Sequence, residues 1–143
     1  CQGTTNRHIL LNRFRNERAA VLFATSSFWE GVDVRGEALS LLILTRLPFR
    51  VPTDPIVEAR VEHLERQGRS PFDCYTVPQA VIKFKQGFGR LIRHKNDRGA
   101  VLIFDRRVAS KGYGKKFLRS LPTRSVLQLP RTELFAALRR FFG

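Results

Sequence analysis

Leu39-Ser40-Leu41-Leu42-Ile43-Leu44-Thr45 is the stretch that decides the fold. A short apolar run with neither a helical nor an alternating period reads as a strand buried on both faces. Two further runs have the same character, Ala19-Ala20-Val21-Leu22-Phe23-Ala24-Thr25 before it and Ala100-Val101-Leu102-Ile103-Phe104 after it. Segments of helical spacing lie between and around them. Apolar strands separated by helices predict a mainly parallel sheet, because parallel neighbours need a long crossover between them. The expected class is α/β, with a three-layer arrangement in which helices flank both faces of the sheet.

Working outward, residues 6–17 place Ile9, Leu10 and Phe14 at helical spacing. Pro55 suits the first turn of a helix over 55–67 that presents Ile56, Ala59, Val61 and Leu64 and stops at Gly68. Ser70 to Thr76 reads as a loop, with Thr76 capping the next helix and Pro78 in its first turn. A short helix is expected near 112–120, a strand over 125–129 and a last helix over 131–142. The apolar stripe of that last helix, Leu134, Phe135, Leu138, Phe141 and Phe142, is read as packing on its own domain.

At 143 residues the chain is one domain with enough length for a core. Its charge is unusual. Lys and Arg number 26 against 12 Asp and Glu, a formal net charge of +14. Such an excess favours a polyanionic partner, most often nucleic acid. The two cysteines, Cys1 and Cys74, form no Cys-x-x-Cys pair, which argues against a disulfide framework or a cysteine-rich metal site and fits a reducing cytoplasm. The histidines, His8, His63 and His94, lack metal-ligand spacing. No apolar run reaches the ~18 residues of a membrane span, and no secretory signal pattern is present. The chain has no methionine and opens at Cys1 within structured-looking sequence, so it is expected to be a piece of a longer protein.

Two segments carry chemistry. Gln86-Gly87-Phe88-Gly89-Arg90-Leu91-Ile92-Arg93 reads as helix with Gln86, Arg90 and Arg93 on one face, joined by Gln79 and Lys83. Val81, Phe84, Phe88 and Ile92 cluster on the opposite face. Two arginines one turn apart beside a glutamine suit a phosphate chain. The two helix-weakening glycines imply that something approaches the backbone closely. The other segment, Thr25-Ser26-Ser27-Phe28-Trp29-Glu30-Gly31-Val32-Asp33, offers hydroxyls for a phosphodiester and carboxylates for a ribose hydroxyl. Both are placed outside the carboxyl ends of strands, where open α/β sheets bind ligands.

Together these segments resemble motifs V and VI of the DinG/XPD-like branch of superfamily 2 DNA helicases, in the second RecA-like motor domain. The stretches 47–55, 104–106 and 113–122 are similar to the bacterial DinG pattern, and the resemblance covers most of residues 1–122. It implies a RecA-like C-terminal helicase domain over 1–143, with motifs V and VI within 25–99 and a C-terminal extension over 123–143. By the resemblance, ATP with Mg2+ binds between two such domains. Arg93 then matches the arginine finger, Arg90 its neighbour and Gln86 a nucleotide-side residue. Glu30, Gly31 and Asp33 match motif V, which links nucleotide to nucleic acid, and Ser26 and Ser27 lie where single-stranded or forked DNA would be touched.

The chain contains no Gly-x-x-x-x-Gly-Lys-Ser/Thr phosphate loop and no Asp-Glu-Ala-His-like box. In the resembling family both belong to the first motor domain, as does the iron–sulfur cluster of many members, so the first domain is an expected partner and the expected setting is a bacterial cytoplasm. A non-catalytic basic nucleic-acid-binding module explains the charge equally well, but explains Gln86, Arg90 and Arg93 poorly.

Overall fold

The computed structural model describes residues 6–17, 19–25, 39–50, 54–92, 98–123 and 125–143. In chain order the elements are α1 (Arg7–Asn16), β1 (Leu41–Leu44), α2 (Pro55–Arg66), a π-helical turn (Phe72–Thr76), α3 (Val77–Leu91), β2 (Ala100–Ile103), α4 (Arg107–Ser110), α5 (Gly114–Arg119) and α6 (Arg131–Phe142).

β1 and β2 pair in parallel, with Leu41 opposite Ala100 and Leu44 opposite Ile103. Two parallel strands cannot be joined by a hairpin, and the crossover between these two carries α2 and α3. Alternation along the strands sends Leu42, Leu44, Val101 and Ile103 to one face. There they meet Val77, Ala80 and Phe84 of α3 and Phe117 of α5, the centre of the core. Ile43, on the other face, is half exposed. The architecture is therefore α/β, with helices packed on a small parallel sheet.

Local chemistry explains the element boundaries. Asp54 caps α2 by accepting the Ile56 N–H at 2.9 Å, and Pro55 follows in the first turn. Gly68, just past its end, takes a φ of +67°. The inward side of α2 is Val57, Val61 and Leu64; Ile56 and Ala59, expected to face inward, are exposed.

Three sequence expectations change. Residues 20–25 lie outside the sheet, with Val21 and Phe23 exposed, whereas a buried strand over 19–25 was expected. An apolar run becomes a strand only when a ladder neighbour exists, and among the described residues the one ladder is β1–β2. Leu22 turns inward against the buried Leu11, as do Phe14 and Leu39. Next, Ser70 to Thr76 is not a loop. The helical path begins at Pro71 and runs through the π-helical turn into α3, with Thr76 already helical and making no side-chain cap. Ser70 is the cap: its Oγ accepts the Asp73 N–H at 3.3 Å and donates to Asp73 Oδ2 at 3.0 Å. Finally, residues 125–130 form no strand, and α6 buries no residue, leaving Phe135, Phe141 and Phe142 exposed. Arg98 ties the helix down by donating to the Phe141 carbonyl at 2.9 Å and lying 5.4 Å over its ring.

Candidate functional site

α3 is fixed by Val77, Ala80, Phe84, Phe88 and Leu91, all buried, along one side of its fifteen residues. Val81 and Ile92, assigned from sequence to that apolar side, are half-buried at its margin. The edge of the Phe84–Phe117 pair, with centroids 5.4 Å apart, locks the helix onto α5. The other side then has to face outward. It carries Gln79 and Lys83, half-buried, and Gln86, exposed, with Arg90 one turn beyond Gln86. Gly89 lies between these turns, and a Cβ built there would meet nothing within 4 Å. No packing inside the described residues calls for a glycine at that position.

The helix ends before the third member of the expected triplet. Ile92 is extended, φ −117° and ψ 110°, and its N–H closes the last bond onto Phe88 at 3.1 Å. Arg93 lies outside the described residues, as do Ser26, Ser27, Glu30, Gly31 and Asp33. Of the proposed site, the structure places Gln86 and the backbone of Arg90.

It also corrects their location. A Cβ added to Gly99 would fall 2.7 Å from Leu91 Cγ, so the end of α3 abuts the residue that leads into β2. The Gln86–Arg90 turns thus approach the amino edge of the strand, not its carboxyl edge. The cause is topological: a helix crossing between parallel strands must run back against them. A helix C-terminus carries the negative pole of the macrodipole, so an anion gathered here relies on arginine side chains rather than on backbone N–H groups.

The carboxyl edge of the sheet holds a buried ion pair, whose acid lies in the 104–106 stretch that the sequence marks without giving it a role. Asp105, just beyond β2, is the buried charged residue among those described. Its Oδ2 accepts the Leu47 N–H at 2.8 Å, and both oxygens take the fork of Arg107, Nη2 at 2.7 Å and Nε at 2.9 Å. The Arg107 hydrogen bonds hold the Asp105 carboxyl well below the usual carboxylate range, against the opposing cost of burial, with the Leu47 and Arg107 N–H groups assisting. Arg107 in turn lies 5.2 Å over the Phe49 ring. Beyond the family-like stretches 47–55 and 104–106, the local signal is an acid two residues ahead of an arginine at the end of an apolar run. This arrangement seals the loop after β1 to the end of β2 and leaves no acceptor for a ligand. Among the described residues no three His, Cys, Asp or Glu side chains gather as a metal site, and no helix is long and apolar enough to cross a membrane.

Comparison with known proteins supplies the family. Residues 1–124 match the helicase C-terminal domain. The chain is 53% identical over 124 residues to the ATP-dependent DNA helicase YoaA of Haemophilus influenzae, covering 87% of the chain and 19% of that relative. It is 49% identical over 142 residues to YoaA of Escherichia coli, covering 99% of the chain and 22% of the relative. The 3'-5' exonuclease DinG of Bacillus subtilis is 42% identical over 127 residues, 89% of the chain and 14% of that protein. The chain thus spans about a fifth of the length of the YoaA relatives it matches. A conserved-domain match over most of the chain, together with relatives at this identity, leaves one reading: the chain belongs to the DinG-type helicase C-terminal domain family.

Proposed function

We propose that this domain, taken over residues 1–143, is the second motor domain of an ATP-dependent DNA helicase, and that it completes an ATP site whose other half belongs to a first motor domain. The observation that carries the reading is the outward side of α3. It presents Gln86, exposed, and the Arg90 position beside a glycine with open space. A partner surface that closes over that side would bring a triphosphate to the arginines. Arg93 is assigned as the arginine finger and Arg90 as its support, because a planar, permanently charged guanidinium stabilises charge spread over γ-phosphoryl oxygens. Gln86, Glu30, Gly31 and Asp33 would line the nucleotide side, and Ser26 and Ser27 the DNA backbone. The complete domain would carry the three-layer RecA-like arrangement.

Mg2+ supplies charge neutralisation on the phosphates when bound. The described residues offer no ligand set for it, so it is assigned to the first domain, as is any iron–sulfur cluster. The setting proposed is the bacterial cytoplasm, with single-stranded or forked DNA as the substrate.

Arg93→Ala in the full-length protein tests the reading. ATP hydrolysis should fall by ~10³-fold or more, the usual worth of such a finger, with little change in DNA binding. Unchanged hydrolysis would remove Arg93 from the role. A basic binding module without catalysis predicts instead weaker DNA binding and no hydrolysis in either form.

A further inference from the structure

A cavity of about 340 Å³ opens between α2, the π-helical turn and Gln79 in the first turn of α3. Val57 and Val61 of α2 line it, together with Phe72 and Tyr75. The volume is at the lower end of the range used by small ligands, enough for one planar heterocycle. The π-helical turn supplies Phe72, Tyr75 and Thr76 together, and such turns recur at functional sites. Phe72 stacks on Phe49 at 5.9 Å and meets Tyr113 edge-on at 5.3 Å, yet stays 43% exposed. The Arg60 guanidinium lies 5.7 Å from the Tyr75 centroid.

The lining also holds polar side chains. Arg50 brings a cation, Gln79 a donor and an acceptor, and Glu65 an acceptor for an amine. An apolar and aromatic lining that includes one arginine, in a chain of net charge +14, matches one class of occupant. We propose that this cavity holds one unstacked base of a single-stranded nucleic acid, its ring on Tyr75 and Phe72 and its phosphate toward Arg50. Stacking on aromatic side chains contributes ~1–3 kcal/mol per base and tolerates any base, as a strand-tracking domain requires. Glu65 and Gln79 would favour a base bearing an exocyclic amine. The inference rests on the proposed nucleic-acid role of the domain but uses residues apart from those assigned to it.

The test titrates the 143-residue chain against a single-stranded oligonucleotide carrying one fluorescent aminopurine, and against the same strand with that base removed. Binding should quench the aminopurine, and the abasic strand should bind about tenfold more weakly. Tyr75→Leu should lose a similar factor for the intact strand only, with an unchanged salt dependence, since stacking releases no counterions. Val61→Trp, which places a bulky ring in the lining, should abolish the quench. Both variants are compared only where circular dichroism and melting match the parent chain. Equal affinity for intact and abasic strands, or quenching that survives Val61→Trp, overturns the base pocket and leaves the strand-binding role standing. Failure of the chain to bind either strand overturns the nucleic-acid role itself, and the pocket with it.

Discussion

The carboxylate of Asp105 accepts the backbone N–H of Leu47 at 2.8 Å, so that the residue following β2 grips the loop following β1. Arg107 completes the grip from the outside and stacks over Phe49. From Phe49 the contacts pass edge-on to Phe117 at 5.8 Å and from there to Phe84 on α3. The helix that presents Gln86 is thereby referenced to both strand ends through one buried charge and three rings.

Removing that charge should loosen the whole connection. Asp105→Asn is expected to cost ~2 kcal/mol, the usual range for hydrogen bonds to a charged group, read as a lower midpoint in urea unfolding. The pH dependence has a definite sign. The folded pKa of Asp105 lies below its unfolded value, so its stabilisation is present above that unfolded value, about 3.9 for an aspartate. It is lost as pH falls through that value toward the folded one. The difference between parent and Asp105→Asn should be constant near neutrality and should shrink below about pH 4. A difference that does not change with acid would show that the carboxylate charge contributes nothing.

Gly89→Ala should stabilise the chain by ~0.5–1 kcal/mol, because a methyl group there meets nothing and the helix gains propensity. Thermal melting reads the effect directly. In the full-length protein, on the proposed motor reading, the same change should reduce ATP hydrolysis if a partner surface closes over this side of α3. Stabilisation with full activity would leave that side uncovered.

Gly114→Ala should do the opposite. The added Cβ would sit 2.1 Å from the Val108 carbonyl oxygen, a backbone atom that cannot swing aside. A loss of ~3 kcal/mol or more is expected, in the range of severe steric substitutions, visible as poor folding of the purified chain by circular dichroism.

Phe84→Ala and Phe135→Ala form a contrast. Phe84 is 1% exposed at the centre of the core and should cost ~3–5 kcal/mol. Phe135 is 69% exposed on α6 and should change stability by less than ~0.5 kcal/mol. A large effect at Phe135 would mean that α6 packs more tightly in solution.

The two strands, α2 and α6 were legible from apolar runs, Pro55, Gly68 and helical spacing, since those signals are local. The run at 19–25 misled because its composition is that of a strand while its pairing depends on neighbours the run does not contain. Ser70-Pro71-Phe72-Asp73 carried a capping signal, Ser with Pro next and an acid three residues on, that was read as loop. The helix carrying Gln86 and Arg90 was legible from its spacing, and its end at Leu91, with Ile92 extended, was not, since no glycine or proline marks that point. The Asp105–Leu47 bond was out of reach, because nothing local announces which distant N–H a buried carboxylate will accept.

The β1–β2 ladder sets a schedule as well as a shape. Asp105 lies 58 positions after the Leu47 it holds. At ~5–20 residues per second of synthesis, β1 leaves the ribosome about 3–12 s before the end of β2 exists. During that interval Leu41-Leu42-Ile43-Leu44 is an apolar strand with both edges open, the kind of segment that pairs with whatever strand arrives first. A chaperone that shields short apolar segments should therefore raise the yield of this domain most when elongation is slowed between Leu44 and Ala100.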